Sequence, residues 1–438
     1  MVENRSSSTN KGGERVVQQR FLGHTAAIAA LGMTMALSGC GSSSGSGDVT
    51  LKVVAADYGN SAANSSEKYW NSLAKEFEAE YPGIKVEVDV RSWKTVDADV
   101  AKMVRDGEAP DIAQIGAYAD YVKKEELYSA DQLLSIPTQA NFLARFADAG
   151  KVDQTQYGMP FVASTRLLFY NKGLFAAAGL DAPKNWDDIK ADAEALKEQD
   201  VPTPFALPLG AEEAQAETMM WMLSGGGGYT DPVDGSYAVD ADANITTFEW
   251  LQKELVGKGL TGSVPPGELD RADAFKAFTS GKVGMLNGHP TMMQEAEKAG
   301  IELGMVPLPG ITGKSKATMG VADWIMAFKQ PGHREQAGKF LDFTFEDKNV
   351  MDFVGQYDLL PVTYSASETM VADDEHKELR QFLEALPTAE LYPFGKTSWA
   401  GVSDDIKKNI GKAVQPGAVP SEILARIGRD ATTAENAE

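Results

Sequence analysis

Ile84-Lys-Val-Glu-Val-Asp-Val90 alternates apolar with charged residues, the two-residue period of a strand with one buried face. Pro82-Gly83 precedes it and stops a helical stretch in which Tyr69, Trp70, Leu73 and Phe77 recur at helical spacing, with Ser65 or Ser66 as N-cap. Further back, Val49-Thr-Leu-Lys-Val-Val-Ala55 reads as a first strand that runs into the polar turn Ala56-Asp-Tyr-Gly-Asn60. Downstream, the spacing predicts a helix over 95–106 and then a short apolar strand, Pro110-Asp-Ile-Ala-Gln-Ile115, opening into Gly116-Ala117-Tyr118. Strand, helix, strand, helix, strand is the signature of an α/β fold with a largely parallel sheet covered on both faces. Ligands of such sheets collect beyond the carboxyl ends of the strands, where Asp57, Tyr58 and Tyr118 sit.

The chain upstream has a different character. Arg15 and Arg20 precede an apolar run from Phe21 to Leu37, which ends in Leu37-Ser38-Gly39-Cys40. A basic segment, an apolar segment and small residues at a cut describe a secretory signal over 1–39. The run is Ala- and Gly-rich, contains His24, and is barely as long as the ~20 residues of a spanning helix. Leu-Ser-Gly-Cys resembles the bacterial lipoprotein box, which implies a diacylglyceryl group on Cys40 and stable anchoring through two chains. Gly41 to Gly47 is a Gly/Ser tether. Cys40 is the only cysteine, so no disulfide, iron–sulfur cluster or Cys-type zinc site can form in the domain that follows.

About 390 residues follow the tether, enough for two or three domains, and 43% of the whole chain is apolar. The net charge is −22 overall and −24 on residues 40–438. That excludes an electrostatic grip on nucleic acid or on anionic lipid heads.

Patterns associated with catalysis or metals fail on inspection. Gly41-Ser-Ser-Ser-Gly45 spells G-x-S-x-G but lies in the tether, without strand, turn and helix around it. Asp240-Ala-Asp242-Ala-Asn244 begins like a calcium loop, yet Ile245 and Leu251 stand where Gly and Glu are required. His289, His333 and His376 are not paired at metal spacing. Gly225–Gly228 lacks the following Lys-Ser/Thr of a phosphate loop. No cofactor is expected. Paired carboxylates are plentiful, so a lipid-anchored carbohydrate-active enzyme stays as an alternative.

Several landmarks recur in a meaningful order. They are F-E-x-E-Y-P-G-I-K-V at Phe77–Val86, P-D-I at Pro110–Ile112, and M-P-F followed by L-x-x-Y-N-K within Met159–Lys172. A-F followed by G-K-V-G-M-L-N-G lies within Ala277–Gly288, V-P-L-P-G at Val306–Gly310, and A-x-K-F-L-D-F at Ala337–Phe343. In this order the chain resembles the family 1 extracellular solute-binding proteins of ABC importers, the family that includes the maltodextrin-binding protein.

The resemblance implies a periplasmic-binding-protein-like type II fold, with two α/β lobes joined by a hinge and a ligand cleft between them. Lobe one is expected over 48–163 plus 325–375 and lobe two over 164–324 plus 376–425, with 426–438 as a flexible tail. Crossovers are expected at Phe161–Thr165, at Gly320–Asp323 and near residue 376. The implied function is capture of a mono- or oligosaccharide by hinge closure and delivery to membrane permease subunits, by a monomer held at the extracellular face of a bacterial membrane. It implies ligand groups at Asp57, Tyr58, Gly116 and Tyr118 in lobe one, and at Ser164, Asp323 and Trp324 on the crossovers. In lobe two it implies Trp221, Asn287, His289 (in a loop that often carries a stacking tryptophan) and Trp399. The chemistry suits a sugar: an aromatic ring covers its apolar face while carboxylates and amides bind its hydroxyl rim. A polyamine or a glycerophosphodiester is the alternative ligand.

Overall fold

The computed structural model describes residues 48–59 and 62–437. The expected secretory signal, Cys40 and the expected tether lie outside them. Nine strands form two sheets. The first sheet contains β1 (Val49–Asp57), β2 (Ile84–Ser92), β3 (Ile112–Ile115), β4 (Met159–Thr165) and β9 (Gly320–Ala327), in the order β2-β1-β3-β9-β4. The second contains β5 (Leu167–Asn171), β6 (Thr203–Phe205), β7 (Val283–Gly288) and β8 (Leu303–Val306), in the order β8-β5-β7-β6.

The expected opening is present. Helix α1 (Glu67–Glu80) and helix α2 (Val96–Arg105) connect β1, β2 and β3, which pair in parallel. The sheet is nonetheless mixed, because β9 inserts antiparallel between β3 and β4. No local pattern announces that insertion, since β9 is more than 200 residues from β3. α1 starts at Ser66, but the Ser66 hydroxyl donates to the Ala56 carbonyl and does not cap the helix.

Arg166 alone separates β4 of the first sheet from β5 of the second. β9 returns beside β4, with Gly320 opposite Thr165, Val321 opposite Ser164 and Ala322 opposite Ala163. The register slips between Asp323 and Trp324, a bulge that re-aims the side chains on either side of it. Thus Ser164, Thr165 and Gly320–Trp324, expected in lobe two, belong to strands of the first sheet. The third return also lies later than residue 376. Leu379, Phe382, Leu383 and Leu386 are buried with the first sheet's apolar residues. Glu390 then bonds to the start of β9, its N–H donating to Thr318 O and its carbonyl accepting from Gly320 N.

Along β5 the side chains alternate between two clusters. Leu167 and Phe169 join the cluster that holds the first sheet together with α5 (Arg271–Thr279), through Phe275 and Phe278. Leu168 faces the other cluster, built on α3 (Trp186–Glu198) and α4 (Ala214–Ser224). The chain after Phe394 packs there as α10 (Trp399–Asn409) and α11 (Pro420–Glu435). The expected tail from 426 is therefore wrong as far as Glu435: Leu424, Ile427 and Ala431 form a buried stripe at helical spacing on α11.

Candidate ligand cleft

The turn after β1 is built by Asp57, whose Oδ1 accepts from Gly59 N at 2.9 Å, Ser66 N at 2.8 Å and Ser66 Oγ at 3.2 Å. Burial opposes its charge, but these hydrogen bonds keep its carboxyl below the usual range. Asp57 thus closes the turn through Oδ1. Tyr58 follows, and its hydroxyl donates to Asp323 Oδ2 at 2.7 Å and accepts from Gln114 Nε2 at 3.0 Å. The ring is held edge-on by Trp93 and Phe353, at 5.4 and 5.1 Å between centroids. Burial pushes the Asp323 carboxyl up to about 6, and the Asp97 charge adds to the shift. Asp97 itself accepts from Gly116 N at 3.0 Å. Tyr58, Gly116 and Asp323 are therefore brought together near the bulge in β9, while Asp57 shapes the turn that carries Tyr58.

Tyr118 and Trp324 are almost fully buried and meet edge to face at 5.2 Å. Gly158 makes room for them: a Cβ there would lie 2.7 Å from the Tyr118 ring and 3.1 Å from that of Trp324. From Trp324 a line of rings continues through Phe394 (5.5 Å) and Tyr392 (5.6 Å) to Trp399 (5.0 Å, stacked). This line runs from the first sheet to the helices that pack on the second. Trp399 is 7% exposed and Phe394 partly exposed. Trp221 is fully buried against Trp186, Phe205 and Trp250, with its Nε1 donating to Glu217 Oε1 at 2.8 Å. It is a core residue, not a plate facing the cleft. Ser164 is partly exposed on β4.

At the carboxyl end of β7, Asn287 Nδ2 donates to Glu217 Oε1 at 2.8 Å. His289 is bridged on both nitrogens, by Arg271 Nη1 at 3.0 Å on Nε2 and Thr291 Oγ1 at 2.6 Å on Nδ1. Burial, with Arg166 and Arg271 nearby, holds its imidazole well below the usual range. The neutral tautomer that fits accepts from Arg271 and donates to Thr291.

The charged wall of this half lay beyond sequence reasoning. Arg166, between the two sheets, pairs with Glu213 at 2.5 Å; Arg271 pairs with Glu212 at 2.7 Å and also with Glu213. Burial raises the Glu217 carboxyl to about 7. Arg166, Glu213, Glu217, Arg271 and Asn287 surround a narrow recess of about 20 Å³. The one sequence signal was Arg166 itself, placed directly after the expected crossover Phe161–Thr165. Among the described residues, no group of three or more His, Cys, Asp or Glu could hold a metal ion, and no helix is long and apolar enough to cross a membrane.

A family model for bacterial extracellular solute-binding proteins matches residues 62–351. A binding protein of Brucella abortus (strain 2308) is 27% identical over 399 residues, covering 88% of this chain and 93% of its own length. The maltodextrin-binding protein of Bacillus subtilis (strain 168) is 26% identical over 268 residues, 57% of this chain and 61% of its own. The crystal structure of a cyclic alpha-maltosyl-1,6-maltose binding protein from Arthrobacter globiformis shares the fold. Its TM-score is 0.75 at 17% identity, over 90% of this chain and 100% of that one.

Proposed function

The chain belongs to the bacterial extracellular solute-binding protein family, and from that premise we propose that it is the receptor of an ABC importer for a neutral carbohydrate. It captures the sugar between two lobes and presents it to membrane permease subunits. We assign lobe one to the first sheet with residues up to about 389, and lobe two to the second sheet with the chain from about 391. The hinge is then Arg166, the start of β9 at Gly320, and Glu390. A few such residues absorb a closing rotation while each lobe stays rigid.

One observation favours a neutral ligand over an anionic one: both arginines of the recess are already matched by glutamates. A phosphodiester or a sugar acid would meet no free positive charge there, and it would lie against Glu217 as well. Receptors named for maltodextrin and maltosyl-maltose are among the similar proteins, and so is one named for sn-glycerol-3-phosphate, so the choice rests on the recess. The line of rings from Trp324 to Trp399 offers apolar surface at the partly exposed Phe394. No reaction is assigned; binding itself is the activity, and the ligand favours closure only by binding the closed form better. We place the protein outside the cell, anchored through a lipid on Cys40.

The test is a calorimetric and thermal-shift panel of neutral sugars, sugar acids, glycerophosphodiesters and polyamines. The expected result is that a neutral sugar raises the melting temperature and is recovered intact. A phosphorylated or cationic ligand as the sole binder, or cleavage of a saccharide, would overturn the reading.

A further inference from the structure

Asn287 is 5% exposed, and its Oδ1 has no hydrogen-bond partner. An unsatisfied buried acceptor is destabilising, so its persistence calls for a reason. Glu217 supplies the orientation. Its Oε1 takes a hydrogen bond from Asn287 Nδ2 and another from Trp221 Nε1, which sits four residues on along the buried helix α4. Turning the amide over would set Oδ1 against a carboxylate oxygen. Glu217 therefore fixes the orientation of the Asn287 amide, and both residues line the recess.

The rest of the recess is split by chemistry. Pro208, Ala216 and Met220 give apolar wall, and Arg166 and Arg271 give positive charge that Glu213 and Glu212 offset. Arg166 is only 9% exposed and matched by Glu213, so neither guanidinium presents an unmatched charge to the recess. A neutral donor on a short apolar arm fits: its carbon against Ala216 and Met220, its O–H to Asn287 Oδ1.

Resting on the sugar reading above, we propose that this recess is a specificity pocket for the hydroxymethyl arm of a hexose unit. Asn287 accepts its hydrogen bond, and Glu217 acts as the positioning residue. A pentose or a 6-deoxy sugar leaves Asn287 unpaired and binds less well.

The experiment is titration calorimetry with matched pairs: glucose and 6-deoxyglucose, galactose and its 6-deoxy form, mannose and its 6-deoxy form, and cellobiose and xylobiose. In the native protein, the member carrying hydroxymethyl groups should bind roughly ten- to a hundredfold more tightly. Asn287→Leu should bring the two members of a pair within about threefold of each other. Glu217→Gln should narrow the ratio too, because a glutamine amide tolerates both orientations of Asn287; a purely structural glutamate would change both affinities equally. Ala216→Val, which fills the recess and leaves the polar groups in place, should weaken hexoses while sparing pentoses. Equal binding of a pair by the native protein, or an unchanged ratio in Asn287→Leu, overturns the pocket and leaves the sugar reading standing. Failure of every sugar to bind overturns both.

Discussion

At the residue scale the cleft depends on a few groups held against their own preference. Folded Asp323 keeps its proton up to about 6, whereas an unfolded aspartate releases it near ~3.9. Between these values the folded state binds more protons, so its stability rises as pH falls from 6 towards 4, and the contribution is absent above 6. Glu217, raised to about 7, acts with the same sign over a window reaching up to that pH. Denaturant melts at pH 7 and pH 5 should show the gain, and Asp323→Asn should remove its share, ~1–3 kcal/mol. A melting series in which the native and Asp323→Asn proteins change identically with pH would refute the assignment. Gly158→Ala tests packing. Its Cβ would collide with Tyr118 and Trp324, so unfolding should cost about 1–3 kcal/mol less than in the native protein. Asp57 was legible as a turn residue from its place before Tyr58-Gly59. That Trp221 is core was not, because a tryptophan carries no mark of what will cover it.

At the element scale, periodicity located β1, β2, β3, α1 and α2, since each sits in a run long enough to show its period. It failed where an element's surroundings set its role. Gly320–Ala327 reads only as an apolar run interrupted by Asp323, with a crossover at Gly320–Asp323 implied by the family resemblance; it is a strand between two others because β3 and β4 each leave an edge for it. Helix α11 shows the converse. Its Leu424, Ile427 and Ala431 repeat was present in the sequence, and those side chains are buried with α10. Ile427→Ser should therefore lower the denaturation midpoint, by about 2–4 kcal/mol in stability, and sugar affinity should be unchanged in native buffer. A variant as stable as the native protein would mean that α11 docks only loosely.

At the scale of the whole molecule, the two sheets are joined at Arg166, Gly320 and Glu390, three points that lie close together. If these form the hinge, a binding sugar should reduce the radius of gyration in solution scattering, and an unchanged value at saturation would count against closure. Replacement Cys40→Ser should release the protein from membranes into the medium with its sugar affinity intact; retention on the membrane would remove the anchor. The sequence by itself determined the single cysteine, the order of strands and helices at the start, and the family. Each of these is written in contiguous residues, through local period, composition or motif. Only the tertiary structure decided which charges neutralise one another and which aromatics are covered. Arg166 meets Glu213 and Arg271 meets Glu212 across separations of 47 and 59 residues, and Asn287 meets Glu217 across 70. Such pairings arise from how helices settle on sheets, and no local signal encodes them.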